Sequence, residues 1–297
     1  MRRLARGAGL ALILALPAMT AMTGCDADHE YQVRDLSAPR GAVTAGLLFV
    51  NVRFPAGAVR LHAATDDSLY HASVTYCARH LAPSAALSDA TLDLSLTGKT
   101  GGVVGFGGEE NVMRLDLTDN LPQALDLNLG EGESVLDLSG LPVRRFHLMA
   151  GAGDTRVIFG RPNAERADDV TIEGTVGDIG VDLLGNANAA STRISGGVGG
   201  IEVDLRGDWR RHGSVEIDAS VGDVVLWLPR GPGVRLTVGS PWREKLALPG
   251  YTRQDDAWVS EGYETAAPRI EVKVLPGIGR LSVQVDPSSV DPKERSR

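Results

Sequence analysis

Seven stretches of this chain share one pattern, and nothing else in the sequence narrows the possible folds as much. They are "VNVRFPAGAVRLHA" (50–63), "LDLNLGEGESVLDL" (125–138), "FHLMAGAGDTRVIF" (146–159), "VTIEGTVGDIGVDL" (170–183), "TRISGGVGGIEVDL" (192–205), "VEIDASVGDVVLWL" (215–228) and "IEVKVLPGIGRLSV" (270–283). Each has glycine at its eighth position: Gly57, Gly132, Gly153, Gly177, Gly199, Gly222 and Gly277. The first and third positions are mostly apolar, as in Leu125/Leu127, Phe146/Leu148 and Val170/Ile172, and the twelfth is always Leu or Val. Polar residues such as Asp126, Asn128, Glu216 and Asp218 fall between them. Alternation of this kind marks half-buried strands. Glycine at the joint suits a turn that needs a positive φ or a close backbone approach. Five consecutive copies begin 21, 24, 22 and 23 residues apart. So even a stagger predicts an all-β chain: a β-solenoid with coils of roughly 22 residues, stacked about 4.8 Å apart and each dependent on its neighbours. The 36 glycines and the 5% aromatic content fit a narrow aliphatic interior. An antiparallel β-sandwich is the alternative fold.

The N-terminus reads as an export leader. "MRRLARGAGLALILALPAMTAMTGC" opens with Arg2, Arg3 and Arg6, continues with a short apolar run broken at Pro17, and closes on small residues and Cys25. The run is too short to span a bilayer permanently. Its ending, "MTGC" (22–25), resembles the bacterial lipobox with Met where Leu is usual. That resemblance implies removal of residues 1–24, acylation of the Cys25 sulfur and anchoring to a membrane leaflet on the exported side, the leaflet itself being left open. The leader holds three arginines and no acid, so the mature chain has 27 basic and 38 acidic residues, a net charge of −11. Such a body is repelled by nucleic-acid backbones and by anionic headgroups alike. Residues 25–44 read as the acylated cysteine and a flexible, polar tether. With Cys25 acylated, Cys77 is left without a disulfide partner and reads as a small buried hydrophobe on a strand.

The solenoid is expected over residues 45–285. "SLYHASVTYCA", "ATLDLSLTG" and "NVMRLDLTDN" are further strand candidates between the first two copies, the last two separated by the glycine-rich loop 98–110. Residues 229–269 form one long insertion before the final copy, and the Pro-, Ser- and charge-rich tail 286–297 reads as disordered. The segment "LDLNLGEGESVLDLSGLPVRRFHLMAGAGDTRVIF", with "PGVRLTVG", "LPGY" and "SEGYETAAPRIEVKVLPGIGRLSV" near the end, resembles toast-rack domains of the LiaF-like and putative-adhesin kind. The resemblance implies a right-handed β-solenoid at the bacterial cell envelope, usually with no assigned enzymatic activity. LiaF-type proteins usually carry transmembrane helices ahead of this domain, where this chain has a lipobox.

Candidate chemistry is sparse. Carboxylates follow several hinge glycines: Glu133, Asp154, Asp178 and Asp223. Stacked coils would bring them into a column, and columns of acids can hold Ca²⁺ through oxygen. Gly200 and Ile278 interrupt that column, and aspartate is a good turn residue on its own account. His71, Cys77 and His80 share one stretch but lack a fourth ligand for zinc. Trp242, Tyr251, Trp258 and Tyr263 gather in the insertion, four of 14 aromatics in the chain, beside Arg253, Asp255 and Asp256. They are a candidate binding surface for sugar or peptide, or else the cover of an open coil end. No nucleophile elbow, zinc-protease helix or phosphate loop occurs in the sequence. The expectation is a non-enzymatic, lipid-anchored envelope module for interaction, sensing or adhesion, linked through the LiaF-like resemblance to cell-envelope stress, without cofactor and without nucleic acid. Its partners would be the membrane and an unknown envelope protein or glycan. A β-helix carbohydrate-active enzyme and a self-assembling solenoid scaffold are the competing classes.

Overall fold

The computed structural model describes residues 31–99, 111–240, 242, 246–275 and 277–285. The leader, Cys25, nearly all of the 98–110 loop and the 286–297 tail lie outside them. Strands dominate, and among the described residues no helix is long and apolar enough to cross a membrane.

A typical coil is a long strand, a hinge glycine and a short strand. β2 (Leu48–Ala56) leads into β3 (Ala58–Ala63), and β8 (Gln123–Glu131) into β9 (Ser134–Asp137). β10 (Val143–Ala152) leads into β11 (Thr155–Ile158), and β12 (Ala167–Val176) into β13 (Ile179–Asp182). β14 (Ala189–Val198) leads into β15 (Ile201–Asp204), and β16 (Gly213–Val221) into β17 (Val224–Leu228). The last coil joins β21 (Arg269–Leu275) to β22 (Leu281–Val285). Short strands stack in one sheet and long strands in another, each pairing in parallel with the next coil in constant register, as in Phe146↔Val170 and Thr155↔Ile179. Parallel ladders through both sheets rule out the antiparallel sandwich; the molecule is a β-solenoid.

The alternation places every second side chain inside. Val50, Val52 and Phe54 from β2 meet Val59 and Leu61 from β3, and Phe146 and Leu148 from β10 meet Val157 from β11. Val170, Ile172, Ile194, Val215, Ile217 and Val181 carry the same core onward without a break. Each such aliphatic side chain contributes on the order of 1.5–3 kcal/mol by leaving water. A coil buries only one side of its apolar row by itself, so the stack is what makes a core.

Chain order and spatial order differ near the start. After β3 the chain forms β4 (Ser68–Cys77), β5 (Leu81–Ser88), β6 (Thr91–Gly98) and β7 (Val112–Leu117). β6 and β7 stack in parallel on the outer side of β2 and β3, while β8 and β9 take the inner side. β4 then covers β7 and β5 covers β6, both antiparallel. The outermost strand of the short-strand sheet is β1 (Tyr31–Pro39), antiparallel to β4 from Tyr31↔Cys77 to Pro39↔Ser68. Nine residues of the expected tether therefore form an edge strand. Its exposed, polar sequence reads as tether because an edge strand buries little and needs little alternation.

The insertion builds the other end. β18 (Gly233–Val238) pairs in parallel with β21, and the hairpin of β19 (Tyr251–Gln254) and β20 (Ala257–Ser260) adds antiparallel strands beyond it. The short-strand sheet stops at β22.

The final copy is displaced by two residues from its expected frame. Val215 pairs with Val272 and Val224 with Leu281, so the coil equivalent to 215–228 is 272–285. Its hinge is Gly279, with φ +156°, and not Gly277. A slip of two keeps every side chain on its own face, so the alternation cannot detect it.

Candidate functional site

The hinge glycines form a column along one corner of the solenoid. Gly57, Gly132, Gly153, Gly177, Gly199, Gly222 and Gly279 all have φ between +119° and +156°. A Cβ on Gly177 would collide with the Gly153 carbonyl oxygen, and one on Gly199 with that of Gly177. Both backbone conformation and close stacking thus demand glycine.

The residue after each hinge forms a second column: Ala58, Glu133, Asp154, Asp178, Gly200, Asp223 and Arg280 in spatial order. Asp154 Oδ1 accepts the Asp178 N–H at 2.9 Å, and Asp178 Oδ1 accepts the Gly200 N–H at 2.7 Å. Asp223 Oδ1 accepts the Arg280 N–H at 2.9 Å, while its Oδ2 accepts from the Arg280 guanidinium at 2.7 and 3.1 Å. These hydrogen bonds from the Arg280 side chain and backbone, with the cation itself, hold the Asp223 carboxyl below its ordinary range. Three of the four candidate carboxylates therefore tie each coil to the next, and among the described residues no group of three or more His, Cys, Asp or Glu is arranged to hold a metal ion. Arg280 is the member the sequence reading misses. Once the last copy is moved by two residues, it falls directly after the hinge, where Ile278 had been placed.

Beside this column runs a shallow groove of about 450 Å³ over the outer face of the short strands. Gly180 and Gly200 lower its floor, and Arg156 and Glu202 rise from neighbouring coils. Arg156 is committed to Asp182 on the adjacent coil, through Nε at 2.6 Å and Nη2 at 2.9 Å. Glu202 accepts the Trp227 indole N–H at 3.3 Å.

The four insertion aromatics do not make an exposed platform. Trp242 and Tyr263 are each only 8% exposed, and the Trp242 indole donates to the Gly279 carbonyl at 2.9 Å. Tyr251 and Trp258 are half-buried against the main core. Burial pushes the Tyr251 hydroxyl up to about 12. These rings cover the end of the stack, where an apolar coil interior would otherwise face water.

His71 lies between Asp35 and Asp116, at 3.7 and 3.9 Å, rather than beside His80 in a ligand set. Cys77 is buried at the end of β4, as expected, but its sulfur is not free, against the expectation of an unpaired thiol. It offers no thiolate to a metal.

The family model described as the N-terminal domain of toast_rack, DUF2154, matches residues 29–182. Among solved structures, the chain is similar to a putative cell adhesion protein from Clostridium sporogenes, at 16% identity and TM-score 0.41, covering 87% of this chain and 100% of that one. It is also similar to a putative adhesin from Bacteroides fragilis, at 12% identity and TM-score 0.35, covering 86% and 97%. No curated protein matches it.

Proposed function

From the premise that this chain belongs to the family of the toast-rack N-terminal domain, we propose that it works as a non-enzymatic, adhesin-like interaction module of the bacterial cell envelope, held to the membrane through Cys25. The observation that carries the reading is the use made of its carboxylates. Three of the four carboxylates beside the hinges are tied to the next coil's backbone amides, and Asp182 is tied to an arginine of the adjacent coil. What remains for function is surface: two long sheet faces, rigid because every coil is clamped by its neighbours. The basic leader and the lipobox-like "MTGC" support the anchor; it stands against the bonded state of Cys77, because acylation needs the sulfur of the chain's one other cysteine. β1 begins at Tyr31, six positions after Cys25 in the sequence. The body would then sit close to the bilayer, within about 20 Å of chain.

The test uses the full chain expressed in a bacterial host fed an alkyne-labelled fatty acid. The expected result is label on the wild type, none on Cys25→Ser, and transfer of the protein from the detergent phase to the aqueous phase in that variant. An unlabelled mature protein, or one whose Cys25 sulfur is joined to Cys77, overturns the anchor. Capture from envelope extract tests the interaction: a saturable partner is expected, and its absence in wild-type captures from every extract overturns the module.

A further inference from the structure

The outer face of the long-strand sheet is ruled by two register rows. One row runs Phe49, Ala124, Arg145, Asp169 on β2, β8, β10 and β12. The next runs Asn51, Asp126, His147, Thr171 on the same strands. Along most of this face the polar groups satisfy each other: Asn51 donates to Asp93 at 2.8 Å, His147 meets Asp126 at 3.4 Å, and Arg193 and Lys273 both reach Glu216. The pattern breaks at one place. Phe49, 44% exposed, is the one aromatic among the described residues that is neither buried nor half-buried, and Arg145, two strands away, makes no hydrogen bond or ion pair with the described residues. Between them stands Ala124, whose methyl is the floor of a slot of about 400 Å³.

From this geometry we infer that the slot is a binding site for a pyranose unit of a glycan. Phe49 and Arg145 are two strand spacings apart, roughly 9.5 Å. The occupant must offer an apolar face to a phenyl ring on one side and acceptors to a guanidinium on the other. It must also meet alternating donors and acceptors from Asn51, Asp126 and His147 along its lower rim. A pyranose has this distribution, with C–H groups on one face and hydroxyls around its edge. An extended peptide is poorly served, because the backbones of β2, β8 and β10 already pair on both sides and have no ladder to offer. A phosphate or polyanion is disfavoured by Asp126 and Asp169 flanking the single arginine. Aromatic contact on one side and a few placed polar groups on the other is how small-ligand sites divide affinity and orientation.

This inference rests on the interaction-module reading and names its ligand class, and the experiment separates the two. Full-length detergent-solubilised protein is titrated against two sets of immobilised oligosaccharides. One set contains neutral hexose oligomers of glucose, galactose and mannose; the other contains β-1,4-linked N-acetylglucosamine oligomers. Saturable binding to either supports the site, and which set binds distinguishes a neutral polysaccharide from the amino-sugar strands of a cell wall. Phe49→Ala and Arg145→Ala are each expected to weaken binding by about tenfold. Ala124→Leu, which fills the slot, abolishes it, and Lys273→Ala, on the same sheet away from the slot, leaves it unchanged. If Phe49→Ala perturbs folding, Phe49→Leu keeps the apolar bulk without the ring and is expected to lose binding, whereas Phe49→Trp keeps it. Sugar binding that survives Ala124→Leu overturns the proposal. So does a wild type that captures an envelope partner yet binds neither set, an outcome that leaves the interaction module standing.

Discussion

Gly177 and Gly180 lie three residues apart and are asked for different things. At Gly177 φ is +121° and an added Cβ would meet the Gly153 carbonyl; at Gly180 an added Cβ would make only ordinary contacts, the nearest being Arg156 Cγ at 3.6 Å. Gly177→Ala is therefore expected to cost about 3 kcal/mol, from left-handed strain plus displacement of the stacked backbone, and Gly180→Ala close to nothing. Urea denaturation of the two variants checks the difference. Tyr251 gives a second residue-level expectation. Burial raises its hydroxyl to about 12 in the folded state, above the ordinary value near 10, so the unfolded chain releases that proton first. Its stabilisation is full below pH 10 and is lost as pH rises toward 12. The thermal midpoint of the wild type should fall across that window, and Tyr251→Phe should flatten the fall without abolishing it, since burial also raises Tyr70. The glycine column was legible in the sequence because its requirement is local and repeats. The last hinge was misplaced because "GIG" offers two glycines in the same phase, and only pairing with Gly222 chooses Gly279.

Among the elements, the coils were readable and the ends were not. A coil strand announces itself by alternation because one face is buried. β1 is exposed along most of its length, and β5 carries "LAPSAALS", whose small residues hide the period. The insertion was visible as an interruption, but its aromatics looked like a surface because their burial depends on the end of the stack they cover. That placement has a consequence for the β19–β20 hairpin. β20 occupies the outer edge of β18 from Arg235↔Val259 to Thr237↔Ala257, an edge that would otherwise be free to template another chain. Replacing residues 249–262 with a short Gly-Ser link should make the protein associate in a concentration-dependent way, measured by light scattering, more strongly than the wild type. Unchanged mass would show that β18 is protected by something other than β20.

For the whole molecule, the sequence pattern specifies that coils stack but not which coil lies beside which. The first coil in the chain is the second in space, because β6 and β7 fold back to its outer side. Each coil presents a similar aliphatic row, so that choice is made by connection lengths and by what can cover the end, neither of which has a periodic signature. The same repetition explains why the slot at Phe49, Ala124 and Arg145 escaped the sequence: its three residues lie on three coils and come together only through register. The placement of β1 also says how the domain bears load. With Cys25 acylated and not joined to Cys77, tension arriving through the N-terminus enters at Tyr31, opposite Cys77, on the outermost strand. A pull along the stack axis opens the β1–β4 bonds one pair at a time, whereas a pull along the strand must break them together. Unzipping frees a strand of nine residues, about 30 Å of extended chain, before β4 or the coils beneath it are disturbed. A tug of that direction would lengthen the stem and leave the coil stack folded.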